Sequence, residues 1–169
     1  MSSLAILTSD NAATIACGVA LASFVEPGDV VVLSGDLGAG KTQLTKGLAA
    51  GLGVSEPVTS PTFNILLVHE GRIPLYHFDL YRLERAEQLT DLDYWGTLEA
   101  DGVSAVEWGD RFAEAIPKQC VIVRMLVVDD DSRALQIESR GERGRALASA
   151  WTDACAALAG VRVERGEDL

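Results

Sequence analysis

The eight residues Gly35-Asp36-Leu37-Gly38-Ala39-Gly40-Lys41-Thr42 constrain this chain more than any other stretch. An apolar run, Val30-Val31-Val32-Leu33, leads into them, and a helix-like segment from Gln43 to Leu52 follows. Glycines at this spacing let the backbone bend so that successive N–H groups point at one anion. The N-terminus of the following helix adds positive potential. Strand, glycine-rich turn and helix together form the context of a phosphate-binding P-loop. All its fixed positions are filled here, which sets it apart from a chance glycine-rich turn. Lys41 is placed to reach β- and γ-phosphates, and the Thr42 hydroxyl to ligate Mg²⁺. The expectation is a nucleoside triphosphate site with Mg²⁺, with Asp36, Gly38, Ala39, Gly40, Lys41, Thr42 and Gln43 around the phosphates.

The rest of the chain reads as alternating strands and helices. Leu4 to Leu7 is a short strand, and Thr8-Ser9-Asp10 offers capping groups to a helix through Ala12, Ile15, Val19 and Ala22. Pro27 and Gly28 stop it ahead of the P-loop strand, which is expected to be central. Pro61 makes Val58 to Phe63 an extended connection with three hydroxyls, Thr59, Ser60 and Thr62. Asn64 to His69 and Ile73 to Leu80 read as a hairpin. Leu83 to Leu92 looks helical, and Asp93 to Asp101 is a helix or irregular cover. Val103 to Val106 is a strand ending in Glu107. Cys120 to Val128 and Ala134 to Glu138 are strands around the turn Asp129-Asp130-Asp131-Ser132. A C-terminal helix is expected over about 143–159, and a polar tail over 160–169 is expected to fray. No linker divides the 169 residues, so one domain is expected. The fold class is α/β, a sandwich with a mixed central sheet flanked by helices, its ligands at the carboxyl ends of the strands.

Charge and cysteine content narrow the function classes. Acidic residues outnumber basic ones 25 to 14, a formal charge of −11. That balance argues against direct non-specific binding of tRNA or DNA, and suits a basic protein partner. Cys17, Cys120 and Cys155 are scattered and odd in number, as expected of reduced thiols in a cytoplasmic protein; Cys17 and Cys155 fall in apolar helical patterns, as core residues do. No basic segment followed by a long apolar run opens the chain, and no stretch nears membrane-spanning length.

A P-loop enzyme needs a carboxylate on a neighbouring strand end. Asp79 and Glu107 each follow four mainly apolar residues. Either can serve as the metal-side acid, leaving the other to orient the attacking water. Thr59, Ser60 and Thr62 can close over the γ-phosphate as a switch. His77, on the strand face of Asp79, is read as a packed or hydrogen-bonded residue, and Trp95, Trp108 and Trp151 as packing residues.

Four segments, Gly35 to Thr42, Thr59-Ser-Pro-Thr-Phe63, His77-Phe-Asp-Leu-Tyr-Arg82 and Glu107-Trp108, stand in the order and spacing of the TsaE family. The chain resembles its members from about residue 4 to residue 140. The resemblance implies a small Mg²⁺-dependent P-loop ATPase that binds a complex of TsaD and TsaB. That complex transfers a threonylcarbamoyl group onto the adenosine beside the anticodon of tRNAs that read codons beginning with A, so tRNA is met only indirectly. The resemblance also implies Lys41 and Thr42 as the phosphate and Mg²⁺ positions and Thr62 as the switch. It makes Asp79 the acid of a family motif, Glu107 the Mg²⁺-side acid and Trp108 an aromatic near the nucleotide.

Two rival classes remain at this level. A small-molecule kinase would need an acceptor pocket and usually an arginine-bearing lid; Arg82, Arg85 and Arg111 are available, but no arginine-rich lid stands out. A regulatory GTPase would need an Asn/Thr-Lys-x-Asp base reader, which is lacking; Asp93-Tyr94-Trp95-Gly96 fits the loose D-x-x-G pattern without a preceding apolar strand.

Overall fold

A computed structural model describes residues 3–61 and 63–166. β1 (Leu4–Thr8) leads to α1 (Asn11–Ala22), whose first turn is capped by Asp10 accepting from the Ala13 amide at 2.8 Å. β2 (Val30–Ser34) runs through the glycine-rich loop into α2 (Lys41–Gly51). The hairpin β3 (Leu66–His69) and β4 (Leu75–Asp79) precedes two short helices, α3 (Gln88–Asp91) and α4 (Tyr94–Leu98). β5 (Val103–Glu107), the hairpin β6 (Cys120–Val127) and β7 (Arg133–Arg140), α5 (Gly141–Cys155) and β8 (Val161–Arg165) complete the order.

The strands form one sheet in the order β3-β4-β5-β2-β6-β7-β1-β8. β4, β5, β2 and β6 are mutually parallel, and the pairings β3–β4, β6–β7, β7–β1 and β1–β8 are antiparallel. β2 is therefore central, and the sheet is mixed, as expected. All five of its residues are buried, and they alternate between two cores. Val31 and Leu33 meet α1, α2 and α5, while Val30 and Val32 meet Phe78, Leu89, Tyr94 and Leu98 on the other face. This two-sided burial is why the strand reads as an unbroken apolar run. Cys17, Cys120 and Cys155 are buried free thiols, and burial pushes the Cys120 thiol up to about 11.

The structure departs from the sequence reading in four places. Residues 160–169 were expected to fray, yet Val161–Arg165 pairs antiparallel with β1; Val161 and Val163 lie against the core while Arg162 and Glu164 face out. Two valines at period 2 outweigh the polar composition. α5 is correspondingly earlier than expected, Gly141–Cys155 rather than 143–159. Leu83 to Leu92 is helical only at Gln88–Asp91, because the Gln88 side-chain oxygen accepts the Glu84 and Arg85 amides at 2.8 and 3.0 Å and holds that stretch as a turn. Trp151 fills the core, but Trp95 is 42% exposed, since in the short helix α4 it is Tyr94 that points inward. The Asp129 to Ser132 turn forms as read, with the Asp129 carboxylate accepting the Asp131 and Ser132 amides.

Helices α1 and α2 touch backbone to backbone. A Cβ on Gly47 would lie 2.0 Å from the Ile15 carbonyl oxygen, and one on Gly18 2.2 Å from that of Leu44. This contact sets the height of α2, and therefore of Lys41 at its first turn, over the sheet. Alanine at position 47 gains about 1 kcal/mol of helix propensity, but the clash is with backbone and has no flexible side chain to yield. Gly47→Ala is expected to destabilise by about 1–3 kcal/mol or more, read as a lower urea midpoint at unchanged slope.

Candidate functional site

The parallel register assembles the site. It sets Asp79 of β4 abreast of Glu107 of β5, and Glu107 abreast of Leu33 of β2. Both acids thus stand at carboxyl strand ends beside the loop that leaves β2. Both are 3% exposed. The loop turns through Gly35, Gly38 and Gly40, at φ 143°, 80° and 106°, the last capping α2 from the left-handed region that glycine occupies without strain.

Lys41 is folded back on its own loop. Its ammonium donates to the carbonyls of Gly35 and Asp36, at 2.5 and 3.1 Å, and lies 4.3 Å from the centre of the Trp108 ring. Burial lowers its pKa, and the neighbouring carboxylates of Glu107, Asp79, Asp36 and Asp110 oppose that shift. The Thr42 hydroxyl donates to Glu107, 3.3 Å from Oε1 and 3.5 Å from Oε2. On its other side Glu107 Oε2 meets His77 Nε2 at 2.5 Å, so His77 is the buried, hydrogen-bonded residue expected. Asp79 Oδ1 accepts the Tyr81 amide at 2.9 Å. Trp108 has φ 59°, a conformation costly for a bulky residue, and is held there by its amide donating to the Leu33 carbonyl at 2.9 Å.

These groups surround a cleft of about 530 Å³, lined by residues 37–43, Ser60, Asp79, Tyr81, Glu107 and Trp108. Gly38, Ala39, Gly40, Lys41, Thr42, Gln43, Asp79, Glu107 and Trp108 are therefore gathered as the sequence reading grouped them. Asp36 contributes its carbonyl, while its side chain is exposed to solvent. Ser60 brings the hydroxyl-rich segment to the rim; Thr62 lies outside the described residues. Asp93 does not line the cleft, and among the described residues no arginine does.

One residue at this site carries no local sequence signal. Arg133, the first residue of β7, donates from Nε to the Ala39 carbonyl at 3.2 Å and from Nη2 to the Gly38 carbonyl at 3.3 Å. Its Nη1 is anchored on the Asp129 and Ser132 carbonyls, both at 2.9 Å. The guanidinium ties the loop to the β6–β7 turn, and it comes 95 residues after Gly38.

A strand that feeds a glycine-rich loop and a helix, with two acids on adjacent parallel strands, is the nucleotide-binding arrangement of the P-loop NTPase fold. The family model for the threonylcarbamoyl adenosine biosynthesis protein TsaE matches residues 8–135. The tRNA threonylcarbamoyladenosine biosynthesis protein TsaE of Treponema pallidum is 42% identical over 120 residues, 71% of this chain and 89% of that protein. The protein of the same name from Bacillus subtilis is 42% identical over 123 residues, 72% of this chain and 77% of its own. The crystal structure of Bacillus subtilis YdiB superposes with a TM-score of 0.76 at 32% identity, over 90% of this chain and 97% of that one. The chain belongs to the TsaE family.

The Arg133 contacts lead to a direct test of loop geometry. Losing two bonds of about 1 kcal/mol each is expected to speed amide hydrogen exchange across Gly38 to Gly40 on the order of tenfold or more in Arg133→Ala. Exchange in the core of β2 should be unchanged.

Proposed function

We propose that this chain is the ATP-hydrolysing member of a tRNA threonylcarbamoyladenosine machinery, working on a complex of TsaD and TsaB and meeting tRNA only through it. The observation that carries the reading is the cluster of Lys41, Thr42 and Glu107 at the start of α2. Lys41 donates to its own loop carbonyls, bonds that a phosphate oxygen can replace without moving the helix. Thr42 and Glu107 offer a hydroxyl and a carboxylate within 3.3 Å of each other, an oxygen-only donor pair that suits Mg²⁺. Mg²⁺ held there would neutralise charge on the transferring phosphoryl group.

The chain's own residues then divide the work. Loop amides and Lys41 bind and orient the phosphates, the latter from a buried position where its charge is poorly screened. The contact with Thr42 favours Glu107 as the metal-side acid. Asp79, facing the same cleft, is left to orient the attacking water for in-line displacement. Trp108 covers the lysine and limits solvent there. Thr62 is assigned to the switch with Thr59 and Ser60 on the family resemblance.

The lack of any cleft arginine among the described residues weighs against a kinase lid and favours slow hydrolysis by the chain alone. Partner binding is expected to complete the site. The charge of −11 supports docking on a protein rather than on nucleic acid. Among the described residues no helix is long and apolar enough to cross a membrane, and the free thiols are buried, in keeping with a cytoplasmic assignment.

Reconstitution of tRNA modification with TsaD and TsaB, with and without this chain, tests the reading. Lys41→Ala is expected to lower ATP turnover by about 10²–10³-fold, the cost of one well-placed charge donor, and to remove support of modification. Full activity in that variant would remove the phosphate-cradle assignment. Label from γ-labelled ATP should appear as free phosphate; label on a small metabolite would favour the kinase instead.

A further inference from the structure

His69 and His77, one on each strand of the β3–β4 hairpin, are the only 2 histidines in the chain. They are 4% and 0% exposed, and their rings lie 6.4 Å apart between centres, tilted by 41°. One nitrogen of each meets a carboxylate: His69 Nδ1 meets Glu56 Oε1 at 2.6 Å, and His77 Nε2 meets Glu107 Oε2 at 2.5 Å. An ionised carboxylate only accepts, so those two nitrogens carry the protons. The remaining atoms, His69 Nε2 and His77 Nδ1, are buried without a partner among the described residues. In neutral rings both are acceptors. Neighbouring acceptors cannot satisfy one another, and orphaned buried polar atoms are rare in folded proteins. A molecule with two donors resolves both at once. A bridging water would stand about 2.8 Å from each nitrogen.

We propose that a single buried water donates to both rings, making Glu56–His69–water–His77–Glu107 one connected line, and that His77 is the positioning residue for Glu107. The line begins in the segment after α2, where Glu56 is 54% exposed, and ends in the cleft. With Oε2 held by His77, Oε1 is the nearer of the two oxygens to the Thr42 hydroxyl, at 3.3 Å against 3.5 Å. Outer partners of this kind orient a ligating carboxylate without touching the metal. The positioning role rests on the reading of Glu107 as the Mg²⁺-side acid; the water and the ring tautomers do not.

Long-range ¹H–¹⁵N spectra of the unaltered protein read the tautomers directly, with no variant required to fold. The expected result is opposite tautomers, Nδ1–H for His69 and Nε2–H for His77, with a cross-relaxation signal from a long-lived water. Matching tautomers, or a doubly protonated ring, would overturn the bridge. Mn²⁺ binding to the ADP complex, followed by electron paramagnetic resonance, tests the positioning role. His77→Leu is expected to weaken Mn²⁺ by about tenfold or more, while His77→Gln, which restores a donor, stays within about threefold of the unaltered protein by the same reasoning. Unchanged Mn²⁺ affinity in a His77→Leu protein with a normal melting profile would overturn it. No Mn²⁺ binding by the unaltered ADP complex would overturn the metal-side reading itself and leave the tautomer result standing.

Discussion

The carboxylate of Glu107 is buried in a place where a charge cannot stand alone. Taking a carboxylate out of water costs several kcal/mol unless opposite charge and hydrogen bonds are supplied. Here they come from separate elements: His77 on β4, Thr42 on α2, and the Lys41 ammonium close by. None of these can reach Glu107 unless β4, β5 and β2 are parallel and aligned at their carboxyl ends. The register that builds the sheet and the electrostatics that build the site are one constraint. A slip of one residue would turn Glu107 to the opposite face, away from α2.

Backbone strain lies against the same constraint. Trp108 and Ile65, both non-glycine residues, adopt φ of 59° and 64°. Each is pinned by a bond to a strand that serves the site, Trp108 through its amide to Leu33 and Ile65 through its carbonyl to the Asp79 amide. Strain persists only where the surroundings over-determine it. The cost is met by two flanking strands, and its result is an indole held over Lys41 and a hydroxyl-bearing segment tethered beside Asp79.

What was legible in the sequence follows from how local each interaction is. The P-loop is contiguous, so its strand, turn and helix could be read from spacing, and Asp79 and Glu107 each close an apolar run. Spacing did not choose between the acids, and the contact that favours Glu107 in the proposed function is with a hydroxyl 65 residues away. The hairpins and the central position of β2 were legible for the same local reasons. β8 was not, since its two inward valines sit among arginine and glutamate, and composition hid the alternation. The stretch before α3 was misread because a single side-chain oxygen, that of Gln88, competes with helix at Glu84 and Arg85. Arg133 was invisible: an arginine at a strand start has no local reason to be anything but a surface charge.

Arg133 also explains why a nucleotide-binding sheet carries so long an antiparallel arm. The parallel strands on one side of β2 deliver the acids, but something must also hold the loop's carbonyl side. The other side does so. A Cβ on Gly35 would fall 2.5 Å from the Met125 carbonyl of β6, so that strand bounds the loop at its start. Arg133 of β7 holds it at Gly38 and Ala39. The Gly38 and Ala39 carbonyls are thereby turned toward the guanidinium, while the Ala39 amide donates to the Asp36 carbonyl at 3.0 Å within the turn. The two flanks of β2 thus do different jobs for one turn of chain: β4 and β5 carry the acids, while β6 and β7 bound the start of the loop and hold two of its carbonyls.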